Sequence, residues 1–217
     1  REEDNITTDK QSPMIFTIII VTSLVSAYAF RDYSIMSKLQ FNAYRIVHNR
    51  EWYRLFSHAL LHGGWIHLII NMLVLYSFGN FVISAFGYVF QFMNANLLFI
   101  LYYVFAVAIS SLYSVRKHRN NVYYNAVGAS GAVSAVVFTA IFFEPYQMIL
   151  FFGILPIPGI VFGILYLVYS YYMSKKGMDN IGHDAHFYGA IFGLLFPILL
   201  EPNLIKYFLS RLLLFNL

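Results

Sequence analysis

Six stretches of this chain are almost continuously apolar, and its polar residues gather in the segments between them. An α-helix needs roughly 20 apolar residues to cross a bilayer, and runs of this length exceed the usual strand. The pattern predicts helices over residues 13–30, 64–86, 93–113, 129–143, 157–173 and 183–200. Pro13 suits the opening turn of the first. Pro156 and Pro158 lead into the fifth, and Pro197 should bend or end the sixth. Residues 31–57 mix apolar positions with Arg45, Arg50, Glu51 and Arg54 and set Trp52 beside Tyr53, as suits an amphipathic structure lying in the membrane interface. Residues 114–125 and 174–181 read as polar connections. Residues 204–217 alternate apolar positions with Lys206 and Arg211, which predicts an interfacial amphipathic helix rather than a seventh span.

The reading is therefore an all-α, polytopic membrane protein. A polar tail (1–12) precedes a six-helix membrane domain (13–200), which is followed by a C-terminal amphipathic segment (201–217). Composition agrees: of 217 residues 59% are hydrophobic and 11% charged, against about 25% charged in soluble domains. So much apolar surface requires the lipid bilayer as a partner. The 18 tyrosines and 22 phenylalanines suit interfacial belts as well as packing. The absence of cysteine excludes disulfides and thiolate chemistry. The net charge of +4 comes from scattered loop residues, with no dense basic run of the kind nucleic acid attracts. The first apolar run, preceded by a tail that starts at Arg1, reads as a retained helix rather than a signal peptide.

Against this background two polar residues stand out. Ser130 lies in Gly128-Ala129-Ser130-Gly131 at the start of the fourth stretch, and His186 lies in Ala185-His186-Phe187-Tyr188-Gly189 within the sixth. Ionisable and nucleophilic groups in membrane helices point to function by default, and a serine with a histidine is the smallest set for nucleophilic catalysis. A helix start supplies free N–H groups and the positive end of the dipole. A neutral buried imidazole can accept the proton.

Each residue also has a plainer reading. Ser130 sits among small-xxx-small pairs (Gly128 with Ala132, Gly131 with Ala135) that serve helix contacts. The stripe Ala185, Gly189, Gly193 gives the sixth helix a smooth face that could meet them, and a lone buried histidine often serves a hydrogen bond. Asp184 is two residues from His186, on another helical face, and reads as a helix-start residue near water, so a dyad is expected rather than a triad. His67 and Asn71 are four apart on the second helix and could donate hydrogen bonds to an oxyanion together with the Ser130 N–H, or serve an interhelical contact. His58, His62 and His67 raise a metal question, but no acidic ligand is near, and His58-Ala59-Leu60-Leu61-His62 lacks the glutamate of a metalloprotease helix.

Taken in order, these residues resemble the rhomboid family of intramembrane serine proteases. The matching elements are His58-Ala-Leu-Leu-His62 leading to His67-xxx-Asn71, then Gly128-Ala-Ser130-Gly131, then Ala185-His186-xx-Gly189. Tyr53-Arg54 resembles the family's Trp-Arg pair in the first loop. The resemblance implies a six-helix bundle with a water-filled cavity, Ser130 as nucleophile, His186 as general base, and an oxyanion hole of His67, Asn71 and the Ser130 N–H. Gly128, Gly131, Gly189 and Arg54 would support the motifs. The fifth helix and residues 174–181 would gate lateral access of single-span transmembrane substrates, and no cofactor or metal would be needed.

The chain departs from the family pattern at Ser134, where an aromatic residue often stacks on the histidine, and at Ile83, where an acidic residue is common. The lysines and arginines of the loops after the first, third and fifth helices point those loops to the cytoplasm. Bacterial relatives open their site to the opposite side, and the resemblance is followed here, with a bacterial cell membrane as the expected location. The rival readings are a catalytically silent client-binding relative, a metalloenzyme using His58, His62, His183 and His186, and a transporter.

Overall fold

The computed structural model describes residues 12–151, 153–176 and 181–213. Most of the polar tail, residues 177–180 of the last polar connection and residues 214–217 of the terminal segment lie outside them. The elements in order are α1 (Pro13–Ala29), α2 (Tyr33–Leu39), α3 (Ala43–His48), α4 (Arg54–Ser57), a 3-10 turn (His58–Leu60), α5 (Trp65–Val89) and α6 (Ala95–His118). Then come α7 (Ser130–Phe143), β1 (Met148–Phe151), β2 (Leu155–Pro158), α8 (Gly159–Lys176), α9 (His183–Leu200) and α10 (Leu204–Leu213). The six apolar stretches thus become α1, α5, α6, α7, α8 and α9, and residues 31–57 form three short helices. Of the long helices, α5, α6 and α9 are long and apolar enough to cross a membrane, while α1 and α7 are apolar but shorter.

Helix ends follow local chemistry. Ser12 caps α1 by accepting from the Met14 N–H at 3.2 Å, with Pro13 in the first turn. Its own N–H donates to Asn80 Oδ1 at 2.9 Å and its hydroxyl bonds Asn96, so Ser12 is tied to α5 and α6. Asn94 caps α6 through the N–H groups of Asn96 and Leu97. That helix runs on to His118, past the expected end, because Arg116, Lys117 and His118 favour the negative end of its dipole. Pro197 does not end α9, which continues to Leu200. Proline there removes one hydrogen bond only, close to a terminus.

At the centre lies α7. Every residue of it from Gly131 to Phe143 is buried, packed by α5, α6, α8 and α9. A helix apolar on all sides has to be surrounded, and at 1.5 Å per residue this one is only about 21 Å long. Its closest neighbour is α9. A Cβ on Gly189 would fall on the Gly131 carbonyl, and one on Gly193 on the Ala135 carbonyl, so the backbones touch along the small-residue stripe. A polar chain crosses the same core: Tyr102 and Thr139 hydroxyls lie 2.7 Å apart, and Thr139 donates to the Gly193 carbonyl at 2.8 Å.

One expectation needs correction. An all-α chain with the fifth helix starting near residue 157 is replaced by a two-stranded hairpin, with Met148 opposite Pro158 and Leu150 opposite Pro156, and α8 begins only at Gly159. Pro156 and Pro158 have no N–H to donate, which bars a helix interior but is tolerated in a two-stranded ribbon whose strands are both edges.

Candidate active site

The segment that delivers Ser130 is held by the short helices α2–α4 and the turn after them rather than by its own loop. Phe41 and Ala126 exchange backbone hydrogen bonds at 2.9 and 3.1 Å, and the Gly128 N–H donates to the His58 carbonyl at 3.0 Å. Asn42 adds side-chain bonds to the Val122 carbonyl and to Asn125. These short helices are in turn fastened by Arg54. Its guanidinium, 1% exposed, donates to the carbonyls of Ser37 (3.0 Å) and Gln40 (2.7 Å) and to Glu51 (2.5 Å). Beside it His58 is buried, with Nε2 3.1 Å from the Ser111 hydroxyl, and burial lowers its pKa to about 4.

Two glycine features then shape the approach to the serine. Gly128 has φ +128°, a region that L side chains avoid, and a Cβ there would stand between the His67 ring and the Ser130 hydroxyl. The chain therefore enters α7 through a position where no side chain crowds those two groups. Ser130 opens the helix, and Ala129 before it provides no side-chain cap. First-turn N–H groups are thus left for a ligand.

The tight α7–α9 contact sets the second residue. His186 lies one turn before Gly189, and its Nε2 is 2.7 Å from the Ser130 hydroxyl oxygen. On the opposite wall, α5 carries His67 and Asn71. The Gly63 N–H donates to His67 Nδ1 at 3.3 Å, which leaves the proton on Nε2, a nitrogen that lies close to Gly128. Asn71 spends one amide hydrogen on the His67 carbonyl at 2.8 Å, and a second remains. All four side chains line one cavity of about 1200 Å³ bounded by α5–α9 and the short helices.

Asp184 stands in the first turn of α9, as expected of a helix-start residue, but it is only 8% exposed and pairs with Lys117 of α6 at 2.7 Å. Lys117 also donates to the Ser174 carbonyl, so it clasps the end of α8 to the start of α9. Two histidines of the rival metal reading have other partners: His58 faces Ser111, while His62 Nδ1 meets the Ser26 hydroxyl at 3.0 Å. Among the described residues no group of three or more His, Asp or Glu is placed to hold a metal. Sequence reasoning missed Tyr166. It stacks on the His186 ring at 6.2 Å, and its hydroxyl lies 2.5 Å from that of Ser134. The signal available was the non-aromatic residue at position 134.

Comparison with known proteins identifies a family for this chain. The family described as Rhomboid domain matches residues 49–203, from before α4 to the end of α9. A curated relative, RHOMBOID-like protein 12, mitochondrial, of Arabidopsis thaliana, is 26% identical over 131 residues, or 57% of this chain. The aligned part is 39% of that protein's length, so the chain spans well under half of the relative.

Proposed function

The chain belongs to the rhomboid family, and from that premise we propose that it is an intramembrane serine endopeptidase with Ser130 as nucleophile and His186 as general base. It is a multi-pass membrane protein, and the proposal takes α1 and α5–α9 as its six spans. The observation that carries the proposal is the 2.7 Å contact between His186 Nε2 and the Ser130 hydroxyl inside the cavity. A client-binding protein without chemistry has no need of that contact.

The reaction divides into two halves. Ser130 Oγ attacks the scissile carbonyl carbon while its proton passes to His186 Nε2. The carbonyl oxygen becomes an oxyanion that His67 Nε2–H, Asn71 Nδ2–H and the Ser130 N–H stabilise. Collapse expels the amine, which takes the proton from His186 and leaves an acyl-serine. A water then gives its proton to His186 and attacks the ester, and Ser130 leaves as the alcohol with that proton returned. No step calls for a cofactor.

The substrates proposed are single-span membrane proteins whose helix unwinds to reach the serine, arriving past α8. The test is labelling of solubilised protein by a fluorophosphonate, alongside cleavage of a model transmembrane substrate. Labelling lost in both Ser130→Ala and His186→Ala is expected. Labelling that survives either change, or a folded wild type that neither labels nor cuts, rejects the proposal.

A further inference from the structure

An imidazole that must take a proton through one nitrogen needs its plane held, and the hydrogen bond to Ser130 fixes one point of the ring rather than its plane. Ser134, one turn after Ser130, is too short to cover a ring face. The face is covered from another helix. Tyr166 of α8 lies 6.2 Å from the His186 ring, centroid to centroid, with planes 28° apart, within the range of offset stacking. His183 meets the same ring in a T-shaped contact, at 5.8 Å and 79°.

The Tyr166 hydroxyl is also engaged. Ser134 Oγ donates to the Ser130 carbonyl at 2.8 Å, which uses its only hydrogen. The 2.5 Å contact between Tyr166 and Ser134 must therefore have the tyrosine as donor. One side chain thus touches both halves of the site: its ring lies on His186, and its hydroxyl reaches the Ser130 backbone through Ser134. Phe138 and Phe162, at 5.6 and 5.7 Å, hold the ring in place. Position 134 is small because a larger side chain would occupy the place of the Tyr166 hydroxyl.

We propose that Tyr166 is a positioning residue of His186, so that the alignment of the pair depends on how α8 is seated. This rests on the catalytic reading above. The π-face of Tyr166 steadies the neutral ring, and it favours the imidazolium formed when Ser130 gives up its proton. Ile164, Leu165 and Val168 leave the outer side of α8 exposed, so this helix stands at the rim of the bundle. Displacing it withdraws the tyrosine from the histidine.

The experiment compares Tyr166→Leu, Tyr166→Phe and the double variant Tyr166→Leu/Ser134→Phe, each in the full chain. Steady-state cleavage of a model transmembrane substrate and the rate of fluorophosphonate labelling are measured. Tyr166→Leu should lower kcat and labelling about tenfold with KM unchanged. Tyr166→Phe, which keeps the ring, should retain most of the rate. The aromatic returned at position 134 in the double variant should restore much of the rate that Tyr166→Leu alone removes. Wild-type kcat in Tyr166→Leu, or equal losses in Tyr166→Leu and Tyr166→Phe, overturns the assignment while labelling dependent on Ser130 and His186 leaves the catalytic reading intact. A wild type that is inert overturns both.

Discussion

Gly189 of α9 rests on Gly131 of α7 so closely that a single added carbon would coincide with the Gly131 carbonyl. The contact fixes the spacing of the two helices, and thereby the distance from Ser130 to His186, which lie one residue and three residues from it. Gly189→Ala should force the helices apart, destabilising the fold by about 1–3 kcal/mol. Because both groups of the proposed pair hang from these backbones, labelling by a fluorophosphonate should fall further than the melting temperature suggests. Wild-type labelling in Gly189→Ala would show that the backbones can shift without disturbing the pair.

Gly128 offers a local contrast. With φ +128° and the His67 ring and Ser130 hydroxyl close by, Gly128→Ala adds strain and fills the place proposed for the oxyanion. The expected result is a folded protein with cleavage reduced at least about 100-fold, as when an oxyanion donor is lost. Cleavage near the wild-type rate would move the oxyanion elsewhere.

Asn71 has one amide hydrogen committed to the His67 carbonyl and one to spare. Asn71→Ala should lower kcat by about 10²–10³ with little change in KM. An unchanged kcat would leave Asn71 as a helix-packing residue.

Arg54 is the fastening of the short helices, and its removal would leave the carbonyls of Ser37 and Gln40 without their donor. Arg54→Ala should cost on the order of 3 kcal/mol, read as a lower melting temperature in detergent. Arg54→Lys should recover only part of it, since an ammonium lacks the planar fork. Equal stability of Arg54→Ala and wild type would contradict the role.

His58 makes the fold sensitive to acid. Burial holds its pKa at about 4, below the 6.5 of the unfolded chain, so below pH 6.5 the unfolded state binds the proton first. The contribution of the neutral ring is therefore complete above pH 6.5 and is lost as pH falls towards 4, by roughly 3 kcal/mol in all. His62, lowered to about 3 by burial and then by neighbouring His67, acts in the same direction. Melting temperatures between pH 7.5 and 5 should fall, and less steeply in His58→Gln. A pH-independent melting temperature would refute this.

The long helices were legible because each apolar run is longer than a strand and ends at capping or basic residues, as at Asn94 and Lys117. The hairpin was not, because Met148–Phe151 and Leu155–Pro158 are as apolar as the helix that follows them. Only their prolines set them apart. Ser130 and His186 were visible as polar residues in apolar surroundings. The partners of Asp184 and His186 were not. Lys117 is 67 residues from Asp184, and Tyr166 comes from a helix whose facing side has no periodic signal.

The brevity of α7 also bears on how the protein is made. A lone segment about 21 Å long cannot satisfy roughly 30 Å of hydrocarbon, and its terminal backbone groups would be stranded in lipid. During synthesis α7 therefore has to be received by α5 and α6, which precede it, and is enclosed only when α8 and α9 follow. His186 arrives 56 residues after Ser130. Until α9 docks, Ser130 therefore lacks its partner, and the proposed pair is complete only once that helix is in place.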